Sequence, residues 1–166
     1  MTPSDAGIVV RPARAEDGPR LGQLAAQLVR LHHGYDPERF FSWEPLEPGY
    51  ARFLTTQLAD EDVVVLVAEV EGMVAGYAYG RKEARDWNAL LDRHGTFHDL
   101  LVDPLHRRRG IGAVLAQAMI RALEAMGVPR VVLSTAWKND GAQRLFEKLG
   151  FRRTMVEMTR EALPAR

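Results

Sequence analysis

The chain predicts a mixed α/β (α+β) fold whose strands and helices follow the order β-α-α-β-β-β-α-β-α-β. Three observations carry this expectation. Several stretches space their apolar residues three and four apart, as one buried helix face requires. Two β-branched runs flank Glu71-Gly72, the pattern of an antiparallel hairpin. A strand, a basic glycine loop, a helix and a short strand follow one another near Val131, which implies a parallel return and hence mixed pairing. At 166 residues with 46% hydrophobic, the chain has the length of one domain (1–166) and enough apolar surface for a sizeable core.

The elements are read in order as follows. Ile8 to Arg11 forms the first strand, stopped by Pro12, and Asp17 caps a helix carrying Leu21, Leu24, Ala25, Leu28 and Leu31 on one face. That helix ends near Gly34 in a polar and aromatic stretch, and a second helix puts Tyr50, Phe53, Leu54 and Leu58 on one side. Val63 to Val70 and Met73 to Gly80 are the hairpin strands, with Gly72 supplying the backbone angle of the turn. Glu83 to Gly95 is a charged loop with a helical turn, and Thr96 to Val102 is a strand ended by Asp103-Pro104. The next helix carries Ile111, Val114, Leu115, Ala118, Ala122 and Met126 and stops at Gly127 and Pro129. Val131 to Thr135 is a short buried strand. Asn139 is the N-cap of a last helix with Ala142, Leu145, Phe146 and Leu149 inward, and Gly150 follows at its C-terminal end. Arg152 to Thr159 alternates as a final strand.

Charge and composition exclude several functions. Lys plus Arg and Asp plus Glu both number 22, which argues against a nucleic-acid binder needing a basic excess. With no cysteine there is no disulfide frame, thiolate metal site or thiol nucleophile. The histidine spacing suggests no metal site. The N-terminus lacks the pattern of a signal peptide. The longest apolar run, Val63 to Ala68, is too short to span a bilayer. A cytoplasmic protein with no membrane partner is expected.

The most informative stretch runs from Val102 to Gly112. The first amides of a helix have no internal partner and sit at the positive end of its dipole. Gly110 and Gly112 let an anion approach the backbone, and Arg107, Arg108 and Arg109 add positive charge suited to phosphate oxygens. Together these describe a pyrophosphate cradle. A nucleotide P-loop fits poorly, because no Gly-Lys-Ser/Thr ending is present. The dinucleotide fingerprint lacks its leading Gly and its acidic residue.

With these residues in view, the chain resembles the Gcn5-related N-acetyltransferase (GNAT) superfamily. The signature Arg/Gln-x-x-Gly-x-Gly/Ala is matched by Arg107, Gly110 and Gly112. The lead-in Leu100 to Pro104, the opening Val10-Arg11-Pro12-Ala13 with Asp17, and the block from Asn139 to Phe151 also match, in the right order. The resemblance implies a strongly twisted, mostly antiparallel sheet of six to seven strands with about four helices flanking both sides. Acetyl-coenzyme A would wedge between two splayed parallel strands as co-substrate. Leu100, Leu101 and Val102 would offer backbone groups to pantetheine and acetyl. Arg108, Arg109, Gly110, Ile111, Gly112 and Ala113 would wrap the pyrophosphate, and Asn139 would face the cofactor. A homodimer through the last strand, Arg152 to Arg160, is expected on the same ground.

The implied reaction is direct attack of a primary amine on the thioester in a ternary complex. The amine must be neutral to attack, and an alkyl amine titrates near ~10. His98 is the first candidate for general base, since imidazole titrates near ~6.5. Asp99 adjoins it and should point to the opposite face of the strand. A shift of one residue in the alternation would make Asp99 the base instead. A strand amide near Leu100 or Leu101 would stabilise the oxyanion. Many members protonate the departing thiolate with a Tyr in the last helix, where this chain has Phe146. A thiol titrates near ~8.5 and leaves readily, so the loss slows turnover without abolishing it; Tyr77 or Tyr79 is a possible substitute.

In the family the acceptor is selected by the segments corresponding to His32 to Gly49 and Glu83 to Gly95. Glu38, Trp43, Tyr79 and Trp87 are the substrate-binding candidates. The carboxylates Asp36, Glu38, Glu44, Glu47 and Asp86 beside aromatic rings suit a cationic amine, small-molecule or peptide. His33 is a weak candidate for this groove, and His32, His94 and His106 are read as surface or loop residues. The rival reading is a non-catalytic acyl-CoA-binding module.

Overall fold

The structure is a computed structural model that describes residues 7–162. Five strands form one sheet in sequence order: β1 (Ile8–Pro12), β2 (Val63–Val70), β3 (Met73–Glu83), β4 (His94–Val102) and β5 (Val131–Leu133). Four α-helices accompany them: α1 (Gly18–Tyr35), α2 (Glu47–Gln57), α3 (Ile111–Ala125) and α4 (Asp140–Lys148). Pairing is antiparallel from β1 to β4 and parallel between β4 and β5. The β2–β3 turn places both Glu71 (φ 53°) and Gly72 (φ 77°) in the left-handed region, as the tightest hairpin turn demands.

The expected last strand does not form. Arg152 to Thr159 makes no strand pairing among the described residues, and its Met155, Val156 and Met158 are exposed. The physical reason is the shortness of the available edge: β5 offers three residues, too few to seat a strand of eight. The described sheet therefore holds five strands instead of six or seven. Asp17 is a second correction. Its side chain makes no bond to the amides of α1; it holds Arg11 (2.7 and 3.0 Å) and the Arg14 amide (2.7 Å) instead. This fastens the end of β1 to the start of α1.

The two sheet faces are covered differently. On one face Leu115, Met119 and Leu123, spaced four apart on α3, lie against Gly76, Gly80 and Gly95. A Cβ at Gly76 would sit 2.7 Å from the Leu101 carbonyl oxygen, and one at Gly80 would sit 2.9 Å from Met119 Sδ. Glycine thus sets how closely α3 approaches the sheet. Ala78, Phe97 and Phe146 complete this core. On the other face Leu21, Leu24 and Ala25 of α1 and Leu54 of α2 pack on Val65, Val67, Tyr77, Tyr79 and Leu101. Helices α1 and α2 cross closely at Gly22, where a Cβ would meet Glu47 O at 2.4 Å. No helix among the described residues is long and apolar enough to cross a membrane.

Candidate active site

The site begins where β4 parts from β5. The two strands pair only at Gly95–Val131, Thr96–Val132 and Phe97–Leu133. From His98 to Val102 one edge of β4 has no strand neighbour among the described residues, so its backbone groups are open to a ligand.

A β-bulge lies at the parting point. Tyr79 pairs with Asp99 and Gly80 with Phe97, leaving His98 as the extra residue. Strict alternation would send His98 and Asp99 to opposite faces, and the bulge overrides it. The His98 ring stacks on Tyr79 (centroids 5.1 Å, 19°), while Asp99 accepts a hydrogen bond from the Tyr77 hydroxyl (2.9 Å). Tyr77 and Tyr79 both belong to the face under α1 and α2, so His98 and Asp99 share that face. The expectation of opposite faces is thereby corrected.

Partial burial, with 38% of the side chain still exposed, pulls the His98 pKa below its usual value, although the carboxylates of Asp99 and Glu83 act the other way. The ring is thus biased toward the neutral form, which has a lone pair to accept a proton. Burial raises the Asp99 pKa, opposed by the Tyr77 hydroxyl and by the charges of His98 and His32. Tyr77 is fully buried and held well above the usual tyrosine range by burial, with Asp99 adding to it. Tyr50 is pushed up by the same two causes. Sequence reasoning missed His32 and Tyr50 as neighbours of Asp99. The only available signal was that both lie on helix faces turned toward the sheet.

Below the free edge of β4 the chain turns into α3. Asp103 is buried and organises this turn: it accepts from Leu105 N (2.9 Å) and is held by Arg20, whose Nε also donates to Val74 O (3.0 Å). Burial works against its charge, yet Arg20 and the Leu105 amide keep its pKa below the ordinary carboxylate value. Arg108 (φ 65°) and Gly110 (φ 80°) are both left-handed, and Arg107, Arg108 and Arg109 are exposed. Arg107 Nε donates to Val102 O at 3.3 Å. Helix α3 has no side-chain cap; Gly110 is its N-cap residue, and Val114 N is bonded to Gly110 O (3.1 Å). The amides of Ile111, Gly112 and Ala113 therefore lack intrahelical partners. A Cβ at Gly110 would meet nothing within 4 Å, so the approach to these amides is open. This arrangement fits a diphosphate.

The remaining expected residues are scattered. Asn139 caps α4 by accepting from Ala142 N (3.1 Å). Phe146 is buried, edge-on to Phe97 and Phe151 (both 5.6 Å). Tyr79 is buried beside His98, whereas Trp43 and Trp87 are 78% and 75% exposed on separate loops and Glu38 is exposed. Most of the acidic residues whose chemistry suits a cationic amine have structural tasks. Asp36 holds the amides of Glu38 and Arg39, and Asp86 those of Asn88 and Ala89. Glu44 and Glu47 both bind Arg30. His33 bonds to Phe40 O (2.7 Å). His94 is buried at the start of β4 and bonded to Asp92 O (2.8 Å), contrary to its reading as a surface or loop residue.

A sheet opened between two parallel strands, beside a glycine-rich basic turn at a helix N-terminus, brings a free strand edge and an anion-accepting turn into one cleft. The comparisons agree. The sequence profile of the Acetyltransferase (GNAT) family matches residues 28–151, and the chain belongs to that family. It is 32% identical over 156 residues to phosphinothricin N-acetyltransferase of Streptomyces viridochromogenes, covering 91% of this chain and 78% of the relative. Its fold is similar to that of a variant of the BH1408 protein of Bacillus halodurans (TM-score 0.82, 23% identity, 93% and 99% of the two chains). It is also similar to that of a predicted acetyltransferase of Clostridium acetobutylicum solved with acetyl-CoA (TM-score 0.71, 15% identity, 92% and 96%).

Proposed function

We propose that this chain transfers the acetyl group of acetyl-coenzyme A to a primary amine by direct attack in a ternary complex. The observation that carries the reading is the free edge of β4 from His98 to Val102, running into the uncapped basic turn before α3. The diphosphate rests on the amides of Ile111 to Ala113 with Arg107, Arg108 and Arg109 around it, and the thioester lies along Leu100, Leu101 and Val102. Neutral His98 takes the amine proton as nitrogen bonds to the carbonyl carbon. A β4 amide holds the oxyanion, and the carbon–sulfur bond then breaks. The thiolate takes its proton from water, since Phe146 has none to give. The relative named phosphinothricin N-acetyltransferase supports transfer to nitrogen. Exposed Met155, Val156 and Met158 support a homodimer in which a second copy covers the C-terminal segment.

Calorimetry with acetyl-CoA, followed by thiol release across an amine panel, tests the reading. Saturable binding and thiol release with at least one amine are expected. Absence of binding would end it. Binding without release across the panel would favour the rival, a non-catalytic acyl-CoA module, for which Phe146 in place of the usual Tyr speaks.

A further inference from the structure

Beside the catalytic strand lies a shallow hollow of about 260 Å³, lined by Phe41, Pro45, Leu46, Gly49, Tyr50 and Phe53. Its walls are rings and aliphatic carbons, and none of the lining residues is charged. Phe53 meets Tyr79 edge-on (5.8 Å), and Tyr79 stacks on His98 (5.1 Å), so a continuous run of rings joins the hollow to the general base. Phe41 also leans on Trp43 (5.4 Å), extending the apolar surface outward.

The volume limits what enters. Whole-ligand pockets usually exceed ~300 Å³, whereas an apolar cavity of ~150 Å³ already takes up benzene. The hollow therefore suits one ring or branched alkyl group, an arm of the substrate and not all of it. The nearby guanidiniums are committed: Arg30 to Glu44 (2.7 Å) and Glu47 (2.9 Å), which flank the lining residues, and Arg81 beside His98 to Asp60 (3.4 Å) and Glu83 (3.2 Å). Neither is free to meet a substrate carboxylate.

We infer that the acceptor is a small arylalkyl primary amine without a carboxylate, its nitrogen at His98 and Asp99 and its ring in the hollow formed by Phe41, Leu46, Tyr50 and Phe53. This rests on the amine-transfer reading but is tested apart from it. Gly49 gives the variant: it lines the hollow and a Cβ there meets nothing within 4 Å, so Gly49→Leu adds apolar bulk at the wall without displacing backbone and favours helix. The first readout is binding of phenethylamine and ethylamine in calorimetry with coenzyme A present, which needs no turnover. The second is kcat/KM by thiol release with acetyl-CoA for phenethylamine, ethylamine and a tripeptide with N-terminal Phe. Phenethylamine should bind and react at least about tenfold better than ethylamine, as apolar groups in fitted pockets discriminate. Gly49→Leu, with an undiminished Tm, should bring that ratio close to one, and Phe41→Ala should lower it. An equal response to the two amines in wild type, or a ratio untouched by Gly49→Leu, overturns the inference even if other amines are acetylated. A preference for the tripeptide overturns the small-amine assignment. Phenethylamine binding without thiol release upholds the hollow and counts against the transfer reading alone.

Discussion

The two faces of the sheet are built by the same strands and do opposite things. Toward α3, β3 and β4 present Gly76, Ala78, Gly80 and Phe97 to Leu115, Met119 and Leu123, a floor of small residues under aliphatic knobs. Toward α1 and α2 they present Tyr77, Tyr79, His98 and Asp99, with hydroxyl, imidazole and carboxyl groups near His32 and Tyr50. The difference shows how one hairpin and its neighbour separate stability from chemistry. Alternation assigns each residue a face, and a single bulge then brings one more polar side chain to one of them. Polar groups gathered away from water are costly unless each finds a partner, which is why Tyr77 and Asp99 are bonded to each other.

The comparison is broken most severely by His98→Ala. If the α1/α2 face carries the chemistry, kcat/KM falls about 100- to 10,000-fold, while acetyl-CoA binding in calorimetry persists. The wild-type rate should rise with pH as His98 loses its proton, with the limb below the usual ~6.5 because burial depresses the imidazole pKa. An unchanged limb in the variant would make Asp99 the base. The next effect is on stability. Burial raises the Asp99 pKa above its ordinary value, so the unfolded chain ionises first as pH rises. Stability from this group is then full in acid, below ~3.8, and is lost as pH climbs through the folded pKa. Asp99→Asn keeps an acceptor for Tyr77 and should raise Tm at pH 7 relative to wild type, by about 2–4 °C per kcal/mol gained. The gain should vanish near pH 4 in thermal melts, and a gain constant across pH would refute the assigned cause. The smallest effect belongs to the opposite face. Phe146→Tyr should leave thiol release unchanged or raise it, by less than about tenfold, because a thiolate leaves readily without an acid. A large loss would mean that Phe146 is nearer the chemistry than its packing on Phe97 and Phe151 suggests.

Much of this was legible from residues alone. Periodicity placed α1, α3 and α4, Glu71-Gly72 placed the hairpin, and Asn139 and Gly150 marked the ends of α4. These signals are local, fixed by neighbours within a turn or two. Arg107 to Gly112 was likewise readable, because a helix N-terminus and its glycines are consecutive in sequence. The final strand was misread because alternation describes a residue's two sides and says nothing of whether a partner edge exists.

What the order of amino acids determined by itself is where the four helices and the five described strands fall, the basic glycine turn before α3 and the family. What only tertiary structure decided is which groups face one another. The bulge at His98 depends on how β4 aligns with β3, and the partners of Asp99 come from Tyr77 on β3, His32 on α1 and Tyr50 on α2, with separations of 22, 67 and 49 positions along the chain. The hollow under Phe53 likewise exists only once α2 lies over Tyr79. Local backbone preference acts over a few residues, whereas side-chain proximity across a sheet is set by packing of the whole chain.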